Sequence, residues 1–334
     1  MPTNVDESIQ WYQKAAAQGY TNAQHALELI HQEQQKTAAE AVAAAERARR
    51  ASAEARAREE FERGLKYVSG DGVEFNLGEA AKWFRQAADH GNAEAALNLG
   101  LLYVDEQGLA LDFAEAAKWF RQAADQGNAD AQYNLAILYV TGRGVEKDYA
   151  QAVYWARRAA EQGHASAQYN LAVLYVSGQG VKVDLNEAAK WFRKAAEQGN
   201  QAAQSNLGVF YIHGKGVPQD YNEAYKWFAR AADQGNATAQ FNLGVMYAKG
   251  QGVGTNLAKA FMWSSLAADQ GDPEAAVNRD NLTMEMTPKQ IADAIKEASG
   301  FVPHPEASTN AAPKTAARDI APGDSGSNTA PPIR

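Results

Sequence analysis

From Ala167 to Ser177 the apolar residues Leu171, Val173, Leu174, Tyr175 and Val176 recur at helical rather than alternating spacing, until Ser177-Gly178-Gln179-Gly180 interrupts them. The pattern resumes with Ala188, Trp191, Phe192, Ala195 and Ala196 and stops at Gly199. Two helices joined by a glycine turn are predicted, and the same sentence is written along most of the chain. Trp83, Trp119, Trp155, Trp191, Trp227 and Trp263 stand 36 residues apart, and Trp11 lies two periods before Trp83, which accounts for all seven tryptophans. A period of that size is the signature of a solenoid, in which each helix pair leaves an apolar face for the next pair to cover.

The element boundaries are marked chemically. Asp184 is placed to accept an orphan backbone N–H at the start of the second helix, and Glu187 three residues on predicts a variant capping box. Asn76/Glu79, Asp112/Glu115, Asp148/Gln151 and Asp220/Glu223 repeat the pattern, with Asn256/Lys259 as its weak copy. Gly91, Gly127, Gly163, Gly199, Gly235 and Gly271 close the second helices, glycine being the residue that ends a helix in the left-handed conformation without penalty. Asn200 then caps the following first helix, and in the last unit Asp272-Pro273 fills that place with an N-cap and a proline at the first helical position.

The pattern A-x-x-N-L-(G/A)-x-x-Y-x-x-G-x-G-V-x-x-D-x-x-x-A-x-x-W-F-x-x-A-A-x-x-G resembles the Sel-one-like repeat, a relative of the tetratricopeptide repeat. Departures are few: Glu106 replaces a loop glycine, and Ala156 and Ser264 replace the aromatic residue after tryptophan. The resemblance implies an all-α fold, a right-handed α-solenoid whose members act mainly as adaptors or scaffolds for other proteins, in bacteria often at the envelope or toward a host. It implies no catalytic activity.

Five segments follow. Residues 1–21 read as the second half of a repeat, with Asn4 at the cap, Trp11-Tyr12 at the aromatic pair and Gly19 at the stop. Either a lone leading helix is tolerated or the natural start lies upstream. Residues 22–58 keep the length of a repeat without its punctuation: Gln34 and Lys36 occupy the glycine slots, and no glycine or proline occurs between Gly19 and Gly64. A single helix is predicted over 25–63, rich in Ala, Glu and Arg, with Glu46/Arg50 and Glu54/Arg58 in the favourable i, i+4 order. It reads as a solvated spacer, or as an alanine-rich face for helix–helix contact through 22–63. Six tandem repeats fill 59–274, a capping helix is predicted within 275–299, and 300–334 gathers six of the ten prolines with small polar residues, a composition expected to be disordered.

Composition narrows the function classes. Of 334 residues 46% are hydrophobic and 22% charged, with a net charge of −8 and no basic stripe, which argues against nucleic acid. There is no apolar run of the roughly 18 residues a membrane span needs. The absence of a basic, apolar leader favours a cytoplasmic location, while a start in mid-repeat leaves an envelope or secreted location open. The chain has no cysteine, and its six histidines, His25, His31, His90, His164, His213 and His304, form no H-E-x-x-H motif, so no metal or other cofactor is expected. Pairs such as Gly142/Gly144 and Gly214/Gly216 resemble phosphate loops only superficially, since they recur with the repeat as turns. No Ser-x-x-Lys or G-x-S-x-G nucleophile motif occurs.

By analogy with tetratricopeptide arrays, the first helix of each unit lines a concave face. There Leu97, Tyr133, Tyr169, Ser205 and Phe241 vary in chemistry while Asn98, Asn134, Asn170, Asn206 and Asn242 do not. Such a ladder fits a protein or peptide partner, the asparagines hydrogen-bonding its backbone and the aromatics anchoring its side chains. The plain structural reading is that the asparagines bond backbone between units and the aromatics are half-buried packing. A non-enzymatic interaction scaffold is therefore expected. An envelope or secreted protein binding peptidoglycan or another glycan is the alternative, and a hydrolase the third class.

Overall fold

The computed structural model describes residues 4–106 and 108–306, which form fifteen α-helices with no strand among them. The first two are α1 (Asn4–Ala17) and α2 (Thr21–Ser69). Then follow α3 (Leu77–Asp89), α4 (Ala93–Leu102), α5 (Phe113–Asp125), α6 (Ala129–Thr141), α7 (Tyr149–Glu161) and α8 (Ala165–Ser177). The series ends with α9 (Leu185–Glu197), α10 (Gln201–His213), α11 (Tyr221–Asp233), α12 (Ala237–Lys249), α13 (Leu257–Asp269), α14 (Pro273–Thr283) and α15 (Pro288–Ser299). Each helix from α1 to α13 packs against its successor, and α15 folds back onto α13, so the architecture is an α-solenoid.

The core is built by fitting large side chains against small ones. Phe84, Phe120 and Phe228 are fully buried, and each ring lies where a Cβ on Gly64, Gly100 or Gly208, twenty residues earlier, would stand. The second loop glycine works across units instead. Gly180 has φ +70°, and a Cβ there would come within 2.2 Å of the Tyr149 carbonyl oxygen at the start of α7. At the Glu106 departure the turn is remade: α4 spans 10 residues where α6, α8, α10 and α12 span 13, because a side chain resists the left-handed backbone that Gly142 adopts at φ +70°.

Asn76, Asp112, Asp148, Asp184, Asp220 and Asn256 all cap their helices as expected, each side chain accepting from backbone N–H groups. The reciprocal half of the predicted capping box does not form at Asp184. Glu187 turns outward to Lys190 at 2.6 Å, because a lysine one turn further on offers the carboxylate a full charge. A complete capping box occurs at Thr287 and Gln290, opening α15.

With its glycine slots filled by Gln34 and Lys36, α2 continues for 49 residues, about 74 Å at 1.5 Å per residue. Its N-terminal part packs on α1, and its last turns bury Ala57, Glu60 and Gly64 beside α3. Between them, residues 31–56 are exposed apart from Ala43. The stretch 275–299 holds most of α14 and all of α15, and Leu282, Met286 and Ala294 close the last open face against Tyr247, Ala260 and Phe261. Residues 301–306, the beginning of the proline-rich segment, lie against the array, and the expectation for 307–334 falls outside the described residues.

Candidate functional site

The ladder residues take their places on consecutive first helices: Leu97 and Asn98 on α4, Tyr133 and Asn134 on α6, Tyr169 and Asn170 on α8, Ser205 and Asn206 on α10, Phe241 and Asn242 on α12. Their exposure divides them. Leu97, Asn98, Tyr133, Asn134, Ser205 and Asn206 are buried, whereas Tyr169, Asn170, Phe241 and Asn242 are half-buried. Asn98 and Asn242 each donate Nδ2–H to the carbonyl four residues earlier, of Glu94 and Thr238, at 2.8 Å. The Tyr169 hydroxyl is hydrogen-bonded to Asn206 of the next unit, and burial pushes its ionisation above the usual phenol range. Tyr133 stacks on His164 with ring centroids 4.6 Å apart. That histidine caps α8 by accepting the Ala167 N–H on Nδ1 and faces Asp130 with Nε2 at 3.2 Å, so it joins two units.

Two further ladders link the units. Arg85 donates to the Tyr103 hydroxyl at 2.7 Å, and Arg121, Arg157 and Arg193 repeat the bond to Tyr139, Tyr175 and Tyr211. Where Ala229 breaks the series, Tyr247 bonds the hydroxyl of Tyr225 at 2.9 Å. On the edge where one unit turns into the next, Gln162, Gln198, Gln234 and Gln270 donate to the side-chain oxygens of Gln132, Gln168, Gln204 and Gln240 at 2.7–2.8 Å. At the array's beginning the same offset holds a hydrogen bond between His90 Nδ1 and Glu60 at 2.6 Å, with Arg56 paired to the other carboxylate oxygen at 3.0 Å. Burial pushes the Glu60 carboxyl upward, but the hydrogen bonds from His90 and Arg56 outweigh it and hold the group below its ordinary range.

The glutamine edge also carries a long-range ion pair of the C-terminal segment. The guanidinium of Arg230 donates to both oxygens of Glu306, from Nε at 2.8 Å and Nη2 at 2.6 Å, and Gln204 Nε2 donates to the same carboxylate at 3.0 Å. The Arg230 hydrogen bonds hold the Glu306 carboxyl below its usual range against the opposing effect of burial. Reading the sequence for turns and core passed over these residues. Their signal was nevertheless present: the glutamine pairs recur at an offset of 30 and the Arg/Tyr pairs at 18, each in step with the repeat. Among the described residues no cluster of three His, Asp or Glu is placed to hold a metal, and no helix is long and apolar enough to cross a membrane.

Fold and surface define a class, the helical-repeat proteins whose long sides are regular ladders of side chains rather than a single cleft. The Sel1 repeat profile matches residues 1–20, 61–92, 93–128, 129–164, 165–200, 201–236 and 237–272, and the chain belongs to the Sel1 repeat family. Such proteins are in general protein-interaction scaffolds built as right-handed α-solenoids. Among solved structures, a protective antigen of uropathogenic Escherichia coli strains with the same repeat fold is 33% identical at a TM-score of 0.66, the match covering 73% of this chain and 53% of that one. This chain therefore spans about half the length of that antigen. A Sel1 repeat protein from Oxalobacter formigenes is 38% identical at a TM-score of 0.56, covering 64% of this chain and 88% of its own. A search of curated proteins finds no match to the sequence.

Proposed function

We propose that this protein is a scaffold without catalytic activity of its own, holding a peptide or protein segment along the concave face lined by its first helices. The observation that carries the reading is the division of the ladder. Leu97, Asn98, Tyr133, Asn134 and Asn206 are buried and shape the face from beneath, while Tyr169, Asn170, Phe241 and Asn242 keep accessible surface of varied chemistry on the same register. A partly exposed aromatic ring bordered by amides suits an extended peptide, whose side chains seek anchors and whose backbone seeks hydrogen bonds.

The test starts from a partner captured by affinity pull-down and then purified. Tyr169→Ala combined with Phe241→Ala weakens calorimetric binding by at least about 2 kcal/mol, as loss of interface anchors does. Lys190→Ala and Lys226→Ala, on exposed residues that pair with Glu187 and Glu223 on second helices, leave it unchanged. Equal affinity in the aromatic double variant moves the binding site off this face.

A further inference from the structure

Residues 301–306 leave the end of α15 and run along the edge where second helices turn into the first helices of the next units. Pro303 lies over Gly235 and Glu306 over Gly199, equivalent glycines of neighbouring units. Three residues of stretched chain cover about 10 Å, the spacing of packed helices, so the segment crosses the units in extended form. Its two ends are half-buried and residues 302–305 between them are exposed. At one end the Phe301 ring meets Trp263 edge-on at 5.6 Å. Pro303 and Pro305 carry no N–H, and the two donors that alternate with them are both used: His304 N–H donates to the Asp233 carbonyl at 2.8 Å and Glu306 N–H to Gln234 Oε1 at 3.4 Å.

The seat of Glu306 is built from below. Gln204 is 0% exposed, and its Nε2 donates both to the Ala196 carbonyl and to the Glu306 carboxylate, each at 3.0 Å. Its Oε1 accepts from Gln234 Nε2 at 2.8 Å, which turns Gln234 Oε1 toward the Glu306 N–H. The amide pair therefore offers a donor to the carboxylate and an acceptor to the backbone of the same residue, and Arg230 adds its two-point contact. The Arg230 and Glu306 side chains nevertheless stay 38% and 30% exposed. The segment is held at two ends and open to solvent between them, which is how a ligand lies on a protein rather than how a core element is buried.

We propose that this edge is a recognition site for an extended partner segment of the pattern aromatic-x-Pro-x-x-Glu, and that residues 301–306 are its built-in ligand, closing it until such a partner displaces them. The pattern follows from the contacts. Trp263 takes an aromatic ring, the glycine surface at Gly235 takes a flat apolar ring, and Arg230 with Gln204 takes a carboxylate five residues beyond the aromatic, about 17 Å of stretched chain away. Proline between the anchors keeps the free segment near its bound conformation and lowers the cost of ordering it. The chain's own copy competes at the high effective concentration of a tether, so only a partner with the same anchors replaces it. The site uses none of the residues proposed for the concave face and stands apart from that reading.

The experiment is fluorescence anisotropy on the full chain with a labelled, amidated hexapeptide Phe-Val-Pro-His-Pro-Glu. Apparent affinity scales with the fraction of molecules whose site is open, so the Glu306→Lys chain, its own ligand repelled by Arg230, binds the peptide at least about tenfold tighter than wild type. Glu306→Gln, which keeps the size of the side chain, gives a smaller gain in the same direction. Arg230→Glu combined with Glu306→Lys restores a pair of opposite charges within the chain and loses the peptide. Glutamine in place of the peptide's glutamate weakens binding to the Glu306→Lys chain by roughly tenfold or more, the range of a lost hydrogen bond to a charged group. Lys190→Glu, on an exposed residue paired with Glu187, leaves affinity unchanged. The proposal is overturned by affinity that does not rise in either Glu306 variant, or by equal binding of the glutamate and glutamine peptides. A wild-type dimer in gel filtration that Glu306→Lys abolishes also overturns it, since the segment then serves exchange between two copies of this chain.

Discussion

The backbone of Gly180 rests on the carbonyl of Tyr149 in the preceding unit, so closely that a Cβ at 180 would stand 2.2 Å from the oxygen. A glycine that looks like turn chemistry is thus also a close seam between two units. Gly180→Ala meets both a left-handed backbone and a backbone clash, and about 3 kcal/mol of stability is lost. Gly72 has nearly the same φ, +71°, with nothing within 4 Å of its Cβ, so Gly72→Ala costs only about 1 kcal/mol. Urea titration of the two variants separates the terms, and equal losses would mean that the seam gives way.

The tryptophans share a period but not an environment. Trp191 is 7% exposed in the centre of the array, and Trp191→Ala costs about 3 to 5 kcal/mol as a buried aromatic does. Trp11, on the hairpin of α1 with α2, is 73% exposed, and Trp11→Ala stays within about 0.5 kcal/mol. Denaturant midpoints at constant slope make the comparison.

Stability responds to acid through Glu60. Its folded-state pKa lies below the ordinary 4.5, so the contact contributes fully above that value and is lost as the pH falls through the folded pKa. The wild type therefore loses stability below about pH 4.5 more steeply than Glu60→Gln. At neutral pH Glu60→Gln is the less stable by about 1 to 3 kcal/mol, the worth of hydrogen bonds to a charged group. Parallel pH–stability curves would dissociate the pair from the acid transition.

The first-helix ladder separates folding from recognition. Tyr133, 7% exposed and stacked on His164, is a packing residue, and Tyr133→Ala costs about 3 kcal/mol or more. Phe241 is half-buried, so Phe241→Ala costs about 1 kcal/mol. Thermal unfolding of the single variants reads the difference, and a smaller shift for Tyr133→Ala than for Phe241→Ala would reverse the assignment.

Local signals account for what the sequence by itself determined. The 36-residue period, the Asp and Asn caps, the αL glycines and the run from Gly19 to Gly64 without a breaker act within a few residues, so the helix pairs and the long α2 were legible before any coordinates. The capping box at Asp184 misled because Lys190 competes for Glu187 on the exposed side of the helix, a choice made by side-chain charge rather than backbone need. Burial of Tyr133 against the accessibility of Phe241 was decided by the packing of the neighbouring unit, with His164 stacking over one ring. The seat of Glu306 lies furthest from the sequence pattern: Arg230 is 76 residues away, and only the stacking of units into one straight edge brings the arginine, Gln204 and Gln234 to a single point where a carboxylate can be held.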